Sequence, residues 1–162
     1  MRSDMVIDGF IFSTATVGGM DATEKIIKMY KNLERDDINL LILNGCIISW
    51  YNVVDLHQVA EETKIPLLCI TYRESEGLEK YFMKLFPEDW ESRVEIYHKN
   101  ESRIPIKLHT DYTVYVRFIN AKLDEVKGIL NKFTLHGSVP EPLGVARLLA
   151  RSIVRSGMLC LT

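Results

Sequence analysis

The first half of the chain alternates between extended apolar runs and helical stripes. Residues 6–17 are rich in β-branched and aromatic side chains and end at Gly18-Gly19, which predicts a strand followed by a turn. An amphipathic helix is predicted over residues 21–34. Its apolar stripe consists of Ile26, Ile27, Tyr30 and Leu33.

Two short, almost wholly apolar segments follow this helix. Residues 40–43 and 65–70 have the pattern of strands that are covered on both faces. A second helix is predicted between them, with Val53, Val54, Leu56 and Val59 at helical spacing. Because strands that alternate with helices pair in parallel through right-handed crossovers, we predict a layered α/β/α fold with a mixed, partly parallel sheet.

The second half of the chain predicts four more helices and one strand. The helices cover about residues 77–86, 89–98, 121–131 and 140–157, and the strand covers residues 112–118. Pro140 and Pro142 stiffen the start of the last helix. Its predicted buried face consists of Val145, Leu148, Leu149, Ile153 and Val154.

Composition fits one globular domain over residues 1–162. The 162 residues are 47% hydrophobic and 26% charged, and a chain of this length buries enough surface to need no disulfide or metal for its core. The net charge of −2 argues against a protein that coats polyanions, although a local basic stripe is compatible with it.

The cysteines and the apolar runs indicate a cytoplasmic protein. Cys46, Cys69 and Cys160 are odd in number and lack paired spacing, which argues against a disulfide framework and a zinc ribbon. Asp4 and Asp8 precede any long apolar run, so we expect no signal peptide. No apolar stretch approaches the roughly 20 residues that span a bilayer.

Candidate chemistry lies where the predicted parallel strands end. Ligand sites of parallel sheets form outside the carboxyl ends of the strands, here at residues 18–23, 44–52 and 71–73. These segments and the helix starts beside them contain Asp21, Glu24, Asn44, Asn52, Asp55 and Arg73. Such a mixture could hold a divalent cation and a phosphate group, and we expect the three loops to share one pocket.

Each of these residues also has a structural interpretation. Asp21 and Glu24 match a capping box. Asn44-Gly45 suits a turn at a strand end, and either Asn52 or Asp55 could cap the second helix, with Asn52 favoured because it directly precedes Val53.

Arginines recur every four residues on the last helix. The side chains of Arg147, Arg151 and Arg155 line one side of it, as on helices that contact phosphates or on a solvated helix face. We assign Arg147 to substrate binding, together with Gly45, Tyr51 and Asn52 of the loop that follows the second strand.

Three runs of sequence carry a family resemblance. They are DGFIFSTATVGGMDATEKI at residues 8–26, residues 40–73, and GSVPEPLGVARLLARSIVR at residues 137–155. In this order they resemble an archaeal uncharacterised family, domain of unknown function 99, also called uncharacterised protein family 0215. That family is similar to endonuclease V.

The resemblance implies a ribonuclease H-like fold and metal-dependent hydrolysis of the nucleic-acid backbone near deaminated adenine. Asp21 resembles the second metal-binding carboxylate, Asn44 stands where an Asp-Gly would place its Asp, and Arg73 stands near a basic residue of the family. Asp21, Asn44 and Arg73 are therefore the expected catalytic residues, and Asp21 and Asn44 the expected ligands of Mg²⁺ or Mn²⁺. The resemblance also implies that the family's first strand, with its Asp-Asp-Gly, lies upstream of the region that Met1 begins.

With two of three carboxylates missing, we expect weak metal binding and a weak or inactive nuclease relative that binds nucleic acid, either DNA or RNA. An alternative is a non-enzymatic interaction or assembly module in which Trp50 and Tyr51 contact a partner. A third is that a longer form of the chain is an active nuclease. Without the first strand, either residues 10–17 pair beside residues 40–43 or a second copy supplies an edge, which would make a homodimer.

Overall fold

Four strands form one mixed sheet in the computed structural model, which describes residues 1–157. In chain order the elements are α1 Ala22–Lys31, β1 Leu41–Leu43, β2 Ile47–Ile48, β3 Asn52–Val53, α2 Leu56–Thr63, β4 Leu67–Thr71, α3 Glu79–Leu85, α4 Trp90–Lys99, β5 Ile104–Lys107, β6 Thr113–Ile119, α5 Leu123–Phe133 and α6 Glu141–Arg155. The sheet has the order β1-β4-β6-β5, and β2 and β3 form a separate small hairpin.

The parallel pair predicted from the apolar runs is present. β1 runs parallel to β4, with Leu43 opposite Cys69, whereas β6 is antiparallel to both β4 and β5. The mixed, partly parallel sheet is therefore confirmed. Within residues 1–157 no helix is both long enough and apolar enough to cross a membrane.

Helices cover both faces of the sheet because successive strand residues point to opposite sides. Leu67 and Cys69 pack with residues of α1 and α2, whereas Leu68 and Ile70 pack with residues of α5 and α6. The fold is thus a three-layer α/β/α arrangement, consistent with a ribonuclease H-like fold. The near-continuous apolar sequence of β4 follows from burial on both faces.

Residues 6–17 do not form the predicted strand, and they do not pair beside residues 40–43. Phe10 and Phe12 stack on each other but are about half exposed. β-Branched and aromatic composition favours a strand only where a pleated, half-buried surface is available, and the described residues offer this segment no neighbouring strand.

Three further elements differ from the sequence prediction. β5 was not predicted because Pro105 lies within it, and an edge strand is where a sheet tolerates proline. Val53 belongs to the β2–β3 hairpin rather than to a helix. On α6, Leu148 and Val154 are each 65% exposed and only Leu143 is buried, since the helix packs on the sheet through its first turn.

A buried arginine holds the irregular segments together. Arg93 of α4 is 2% exposed and pairs with Asp89 one turn earlier. It also donates hydrogen bonds to the carbonyl oxygens of Gly18, Gly19 and Tyr51 at 2.8 to 3.2 Å. One side chain therefore fixes the turn before α1 and the tip of the β2–β3 hairpin against α4.

Arg93→Lys should lower the free energy of unfolding by about 2 kcal/mol, because an ammonium group cannot reproduce a planar fork that reaches three carbonyl oxygens and Asp89. Urea unfolding followed by circular dichroism measures the loss. Arg151→Lys, on the exposed side of α6, is the matched control and should change stability by less than about 0.5 kcal/mol. Equal stability of the two variants would contradict this role of Arg93.

Candidate functional site

A pocket of about 400 Å³ opens at the carboxyl ends of the parallel strands. Asn44 and Gly45 follow β1 and line it, and Thr71 at the end of β4 and the nearby Arg73 line it as well. Gly45 has a positive φ of 85°, which lets the chain turn sharply away from the sheet at this point. The rim of the sheet therefore forms a concavity in which Asn44 and Arg73 lie beside apolar side chains such as Ile47 and Ile70.

Three arginines dominate the charge of this pocket, which we call the arginine pocket. They are Arg73, Arg103 and Arg117, and Glu74 is the acidic residue in the lining. None of the three arginines forms a salt bridge with a carboxylate of residues 1–157. Their positive charge is therefore available to an anion that enters the pocket.

Arg103 shapes the mouth of the pocket. Its guanidinium donates hydrogen bonds to the hydroxyl of Thr71 and to the carbonyl oxygens of Arg73 and Ser75, at 3.1 to 3.2 Å. These bonds hold the segment that follows β4 against the side chain of Arg103. Arg73 is exposed, so its side chain reaches solvent at the rim.

Arg117 lies at the floor of the pocket and is only 8% exposed. Its Nε donates to the carbonyl oxygen of Glu101 at 2.8 Å, and its Nη1 lies 3.6 Å from the Sγ of Cys46. Its guanidinium carbon also lies 5.6 Å from the centre of the Tyr97 ring. A buried guanidinium that lacks a carboxylate partner favours a nearby anion.

The thiol of Cys46 responds to these neighbours. A hydrogen bond with Cys69 and the positive charge of Arg117 lower the pKa of Cys46 to about 7. The same contact with Cys46, together with burial, raises the pKa of Cys69. The pocket floor therefore places a guanidinium beside a thiol that ionises near neutral pH.

A second cavity of about 560 Å³ shares Arg103, Arg117 and Tyr97 with the arginine pocket. Its lining also contains four acidic residues, which are Glu76, Glu79, Glu101 and the shared Glu74. The Glu79 carboxylate accepts a hydrogen bond from the Nε2 of His98 at 2.8 Å, which lowers the pKa of Glu79. An extended anion would be attracted to the arginine side and repelled from this acidic side.

The three loops after Val17, Leu43 and Ile70 were expected to share one pocket. The loops after Leu43 and Ile70 line the arginine pocket, but Asp21 of the loop after Val17 does not. The Asp21 carboxylate accepts hydrogen bonds from the backbone N–H and hydroxyl of Thr16 and from the Asn52 amide, at 2.7 to 3.3 Å. The bond from Asn52 is the main cause of the lowered pKa of Asp21.

Asn52 is fully buried and joins three segments. Its Oδ1 accepts from the backbone N–H of Ala22 at 3.0 Å, and its Nδ2 donates to the Thr16 carbonyl oxygen and to Asp21. Asn52 therefore caps α1 from outside that helix. The capping-box interpretation of Asp21 is wrong, and so is Asn52 as the cap of α2, because Asp55 accepts from the N–H of Gln58 there.

The other two expected binding residues lie outside the pocket lining. Tyr51 packs edge-on against Phe82 and Phe86, and its carbonyl oxygen accepts from Arg93. Arg147 lies on an exposed part of α6. Burial of the pocket residue Tyr72 raises the pKa of its hydroxyl to about 12, and the positive charge of Arg147 partly opposes this rise. The structure thus brings Asn44, Gly45 and Arg73 together and separates them from Asp21, Tyr51 and Asn52.

The donor set does not fit a Mg²⁺ or Mn²⁺ centre. Asn44 offers a neutral amide oxygen, and the carboxylate of Asp21 is engaged elsewhere. Nowhere in residues 1–157 do three His, Cys, Asp or Glu side chains come close enough to hold a metal ion together. No reaction step is therefore assigned to a metal at this pocket.

Sequence reasoning did not identify Arg103, Arg117 or Cys46 as site residues. One signal was present for Arg117, because it shares a strand face with Tyr115 in a sheet that helices cover on both sides. A charged side chain at such a position must lie near a partner or a cavity. No pattern in the sequence marks Arg103, which precedes the edge strand β5.

The model of the family described as Endonuclease dU matches residues 1–154. The chain belongs to the endonuclease dU family. This confirms the resemblance to an archaeal, endonuclease V-like family that the three sequence runs indicate.

Archaeal relatives match along most of their own length. The UPF0215 protein of Pyrobaculum calidifontis is 30% identical over 153 residues, covering 94% of this chain and 84% of the relative. The UPF0215 protein PAE0952 of Pyrobaculum aerophilum is 34% identical over 150 residues, covering 92% and 80%.

Solved structures match as well. The crystal structure of a protein of unknown function from Archaeoglobus fulgidus is similar, with a TM-score of 0.77, 26% identity, and coverage of 90% of this chain and 82% of that one. The crystal structure of Ciona intestinalis endonuclease V in complex with inosine-containing DNA has a TM-score of 0.48 and 10% identity, with 90% and 69% covered.

Asn52→Ala should destabilise the protein by about 2 kcal/mol, because it leaves the buried N–H of Ala22 without its acceptor and removes the donor to Asp21. It should also raise the pKa of Asp21 toward its ordinary value. Urea unfolding and NMR titration of the carboxyl group measure the two effects. Asn39→Ala, an exposed asparagine, is the control, and an equal effect of both variants would contradict the assigned role of Asn52.

Proposed function

We propose that this member of the endonuclease dU family binds the phosphate backbone of nucleic acid in the arginine pocket, with weak or no metal-dependent cleavage. The observation that carries the proposal is the group of three arginines without carboxylate partners among residues 1–157, placed where parallel strands end. Guanidinium groups donate paired hydrogen bonds that match phosphate oxygens.

The excess of positive charge is local to the arginine pocket, because the chain as a whole carries a net charge of −2. Long-range attraction by the protein as a whole therefore contributes little, and binding depends on the pocket itself. The exposed Arg73 suits a first contact with a phosphate, and Asn44 adds an amide donor beside it. The acidic cavity next to Arg103 directs a strand away from that side.

The chemistry that family membership suggests needs several carboxylates, whereas the described lining of the pocket has one, that of Glu74. Asp21 and Asn44 remain the candidate ligands for Mg²⁺ or Mn²⁺, and we expect them to bind either ion weakly, since Asp21 does not line the pocket and Asn44 carries no charge. Arg73 and Asn44 then position the backbone rather than cleave it. DNA and RNA are both candidate ligands.

Arg73→Gln should weaken the binding of a fluorescently labelled single strand by about tenfold, which corresponds to roughly 1.4 kcal/mol, and should make binding less dependent on salt. Fluorescence anisotropy with plain, inosine-containing and deoxyuridine-containing strands, at several salt concentrations, measures both effects. Arg151→Gln is the matched control on the exposed face of α6. Absence of binding by the unmodified chain at low salt, or equal binding by both variants, would refute the proposal.

Asn44→Asp should raise the affinity for Mn²⁺, because a carboxylate replaces a neutral amide at the rim. Isothermal titration of Mn²⁺ into the protein measures the change, and cleavage of labelled strands is followed in the same samples. Asn39→Asp adds the same charge at an exposed position away from the pocket and is the control. A Mn²⁺ titration that does not change on Asn44→Asp would count against Asn44 as a ligand position.

A second candidate function, an assembly module, is favoured by the tip of the β2–β3 hairpin. Ser49, Trp50 and Tyr51 have positive φ angles of 42°, 56° and 65°, and Trp50 is 57% exposed. Three consecutive residues in the left-handed region are costly, and this conformation presents an indole to solvent. Light scattering of the unmodified chain and of Trp50→Ser tests a homodimer that forms through Trp50. The unmodified chain should be a dimer and Trp50→Ser a monomer. An unmodified chain that is a monomer, or a variant that remains a dimer, would contradict this candidate.

A further inference from the structure

We propose that the arginine pocket binds the end of a nucleic-acid strand through its terminal phosphate group, in preference to a phosphodiester within the strand. The inference rests on the proposed function, because it specifies which phosphate of a bound strand enters the pocket. A terminal phosphate is a monoester, attached to one sugar, whereas an internal phosphate is a diester that joins two sugars. The charge of the pocket, its depth and its surroundings all favour the monoester.

The charge of the lining suits a dianion. Its three arginines outnumber the one carboxylate of the described lining, that of Glu74, by two. Ionisation of the Cys46 thiol would lower this excess to one positive charge. A phosphate monoester carries about −1.5 to −2 charges at pH 7, whereas a phosphodiester in a strand carries one negative charge. A lining with excess positive charge therefore attracts the monoester more strongly.

Two of the arginines are held in place with N–H groups to spare. Within residues 1–157, the hydrogen bonds of Arg103 come from Nη1 and Nη2, which leaves its Nε–H. The polar contacts of Arg117 come from Nε and Nη1, which leaves both N–H groups of Nη2. The guanidinium carbon of Arg103 also lies 5.7 Å from the centre of the Tyr115 ring, much as that of Arg117 lies near Tyr97. Because both guanidinium groups are fixed before a ligand arrives, binding orders little more of these side chains.

The three arginines lie at increasing depth. Arg73 is exposed at the rim, Arg103 is half-buried, and Arg117 is 8% exposed at the floor. A phosphate that contacts the floor brings its attached sugars into the concavity with it. The volume of about 400 Å³ is near the lower end of the range for small-molecule sites, which suits a phosphate with one sugar better than a phosphate between two. A strand end therefore reaches Arg117 with less of the strand inside the pocket.

Carboxylates line one side of the pocket. The neighbouring cavity, which shares Arg103 and Arg117, is also lined by Glu76, Glu79 and Glu101. Within residues 1–157 no lysine or arginine forms a salt bridge with these three carboxylates. The phosphates of a strand that continued through this cavity would lie beside charges of the same sign. A strand held in the arginine pocket is therefore favoured to continue in one direction only, as it does from its end.

Fluorescence anisotropy with the full chain tests this preference. The ligands are single strands of one sequence with the fluorophore on an internal base. Their ends carry a 5′-phosphate, a 3′-phosphate or hydroxyl groups only, and a fourth strand is closed into a circle. At least one phosphate-ended strand should bind about tenfold more tightly than the hydroxyl-ended strand, and the circle should bind no more tightly than the hydroxyl-ended strand. The two phosphate-ended strands show whether the pocket takes the 5′ or the 3′ end.

The outcomes separate this inference from the proposed function. Equal binding of all four strands would refute the preference for a terminal phosphate and would still support a backbone site. Absence of binding by every strand, including those with a terminal phosphate, would refute both. A circle that binds more tightly than either phosphate-ended strand would also refute the preference for an end.

Two variants assign the contacts at the floor and at the rim. Arg117→Gln removes the charge at the floor, so the affinities for phosphate-ended and hydroxyl-ended strands should become nearly equal. Arg73→Gln should weaken both strands alike and keep their ratio, and Arg151→Gln, on the exposed face of α6, should change neither affinity. A ratio that Arg117→Gln leaves unchanged, in a protein whose circular dichroism is native, would contradict the role of the floor. The comparison of the four strands on the unmodified chain needs no variant to fold.

Discussion

Burial of positive charge is the constraint on which the rest of this structure depends. Arg93 and Arg117 both lie in the interior, where an uncompensated guanidinium is unfavourable. Arg93 is compensated by Asp89 and by three carbonyl oxygens, and it thereby fixes the irregular segments around α1 and the hairpin. Arg117 has one carbonyl oxygen, an aromatic face and a sulfur, so its charge remains for a ligand.

This difference separates the scaffold from the site. Asp21 and Asn52, both predicted as site residues, lie in a network of hydrogen bonds that holds the start of α1. The arginine pocket lies at the ends of β1 and β4, where Asn44 and Arg73 are placed by the parallel pairing alone. The proposed binding of nucleic acid rests on this pocket, whose lining has three arginines and one acidic residue, Glu74.

Local patterns predicted the elements that are buried on both sides. β4 is a continuous apolar run because helices cover both of its faces, and α2 follows from the helical spacing of Leu56 and Val59. Prediction failed where a partner decides the outcome. Residues 6–17 have strand composition without a neighbouring strand, β5 is a strand despite Pro105, and the apolar side chains Leu148 and Val154 of α6 are exposed.

The sequence by itself determined the layered α/β class, the parallel pairing of β1 with β4, and the presence of Asn44, Gly45 and Arg73 at one rim, because strand direction and strand ends are local properties. Tertiary structure alone decided that Arg103 and Arg117 join this rim, that Arg117 contacts the sulfur of Cys46, and that Asp21 lies outside the pocket lining. The reason is physical: antiparallel pairing of β6 with β4 places Arg117 opposite Cys69, and no periodicity along the chain encodes that these two strands become neighbours.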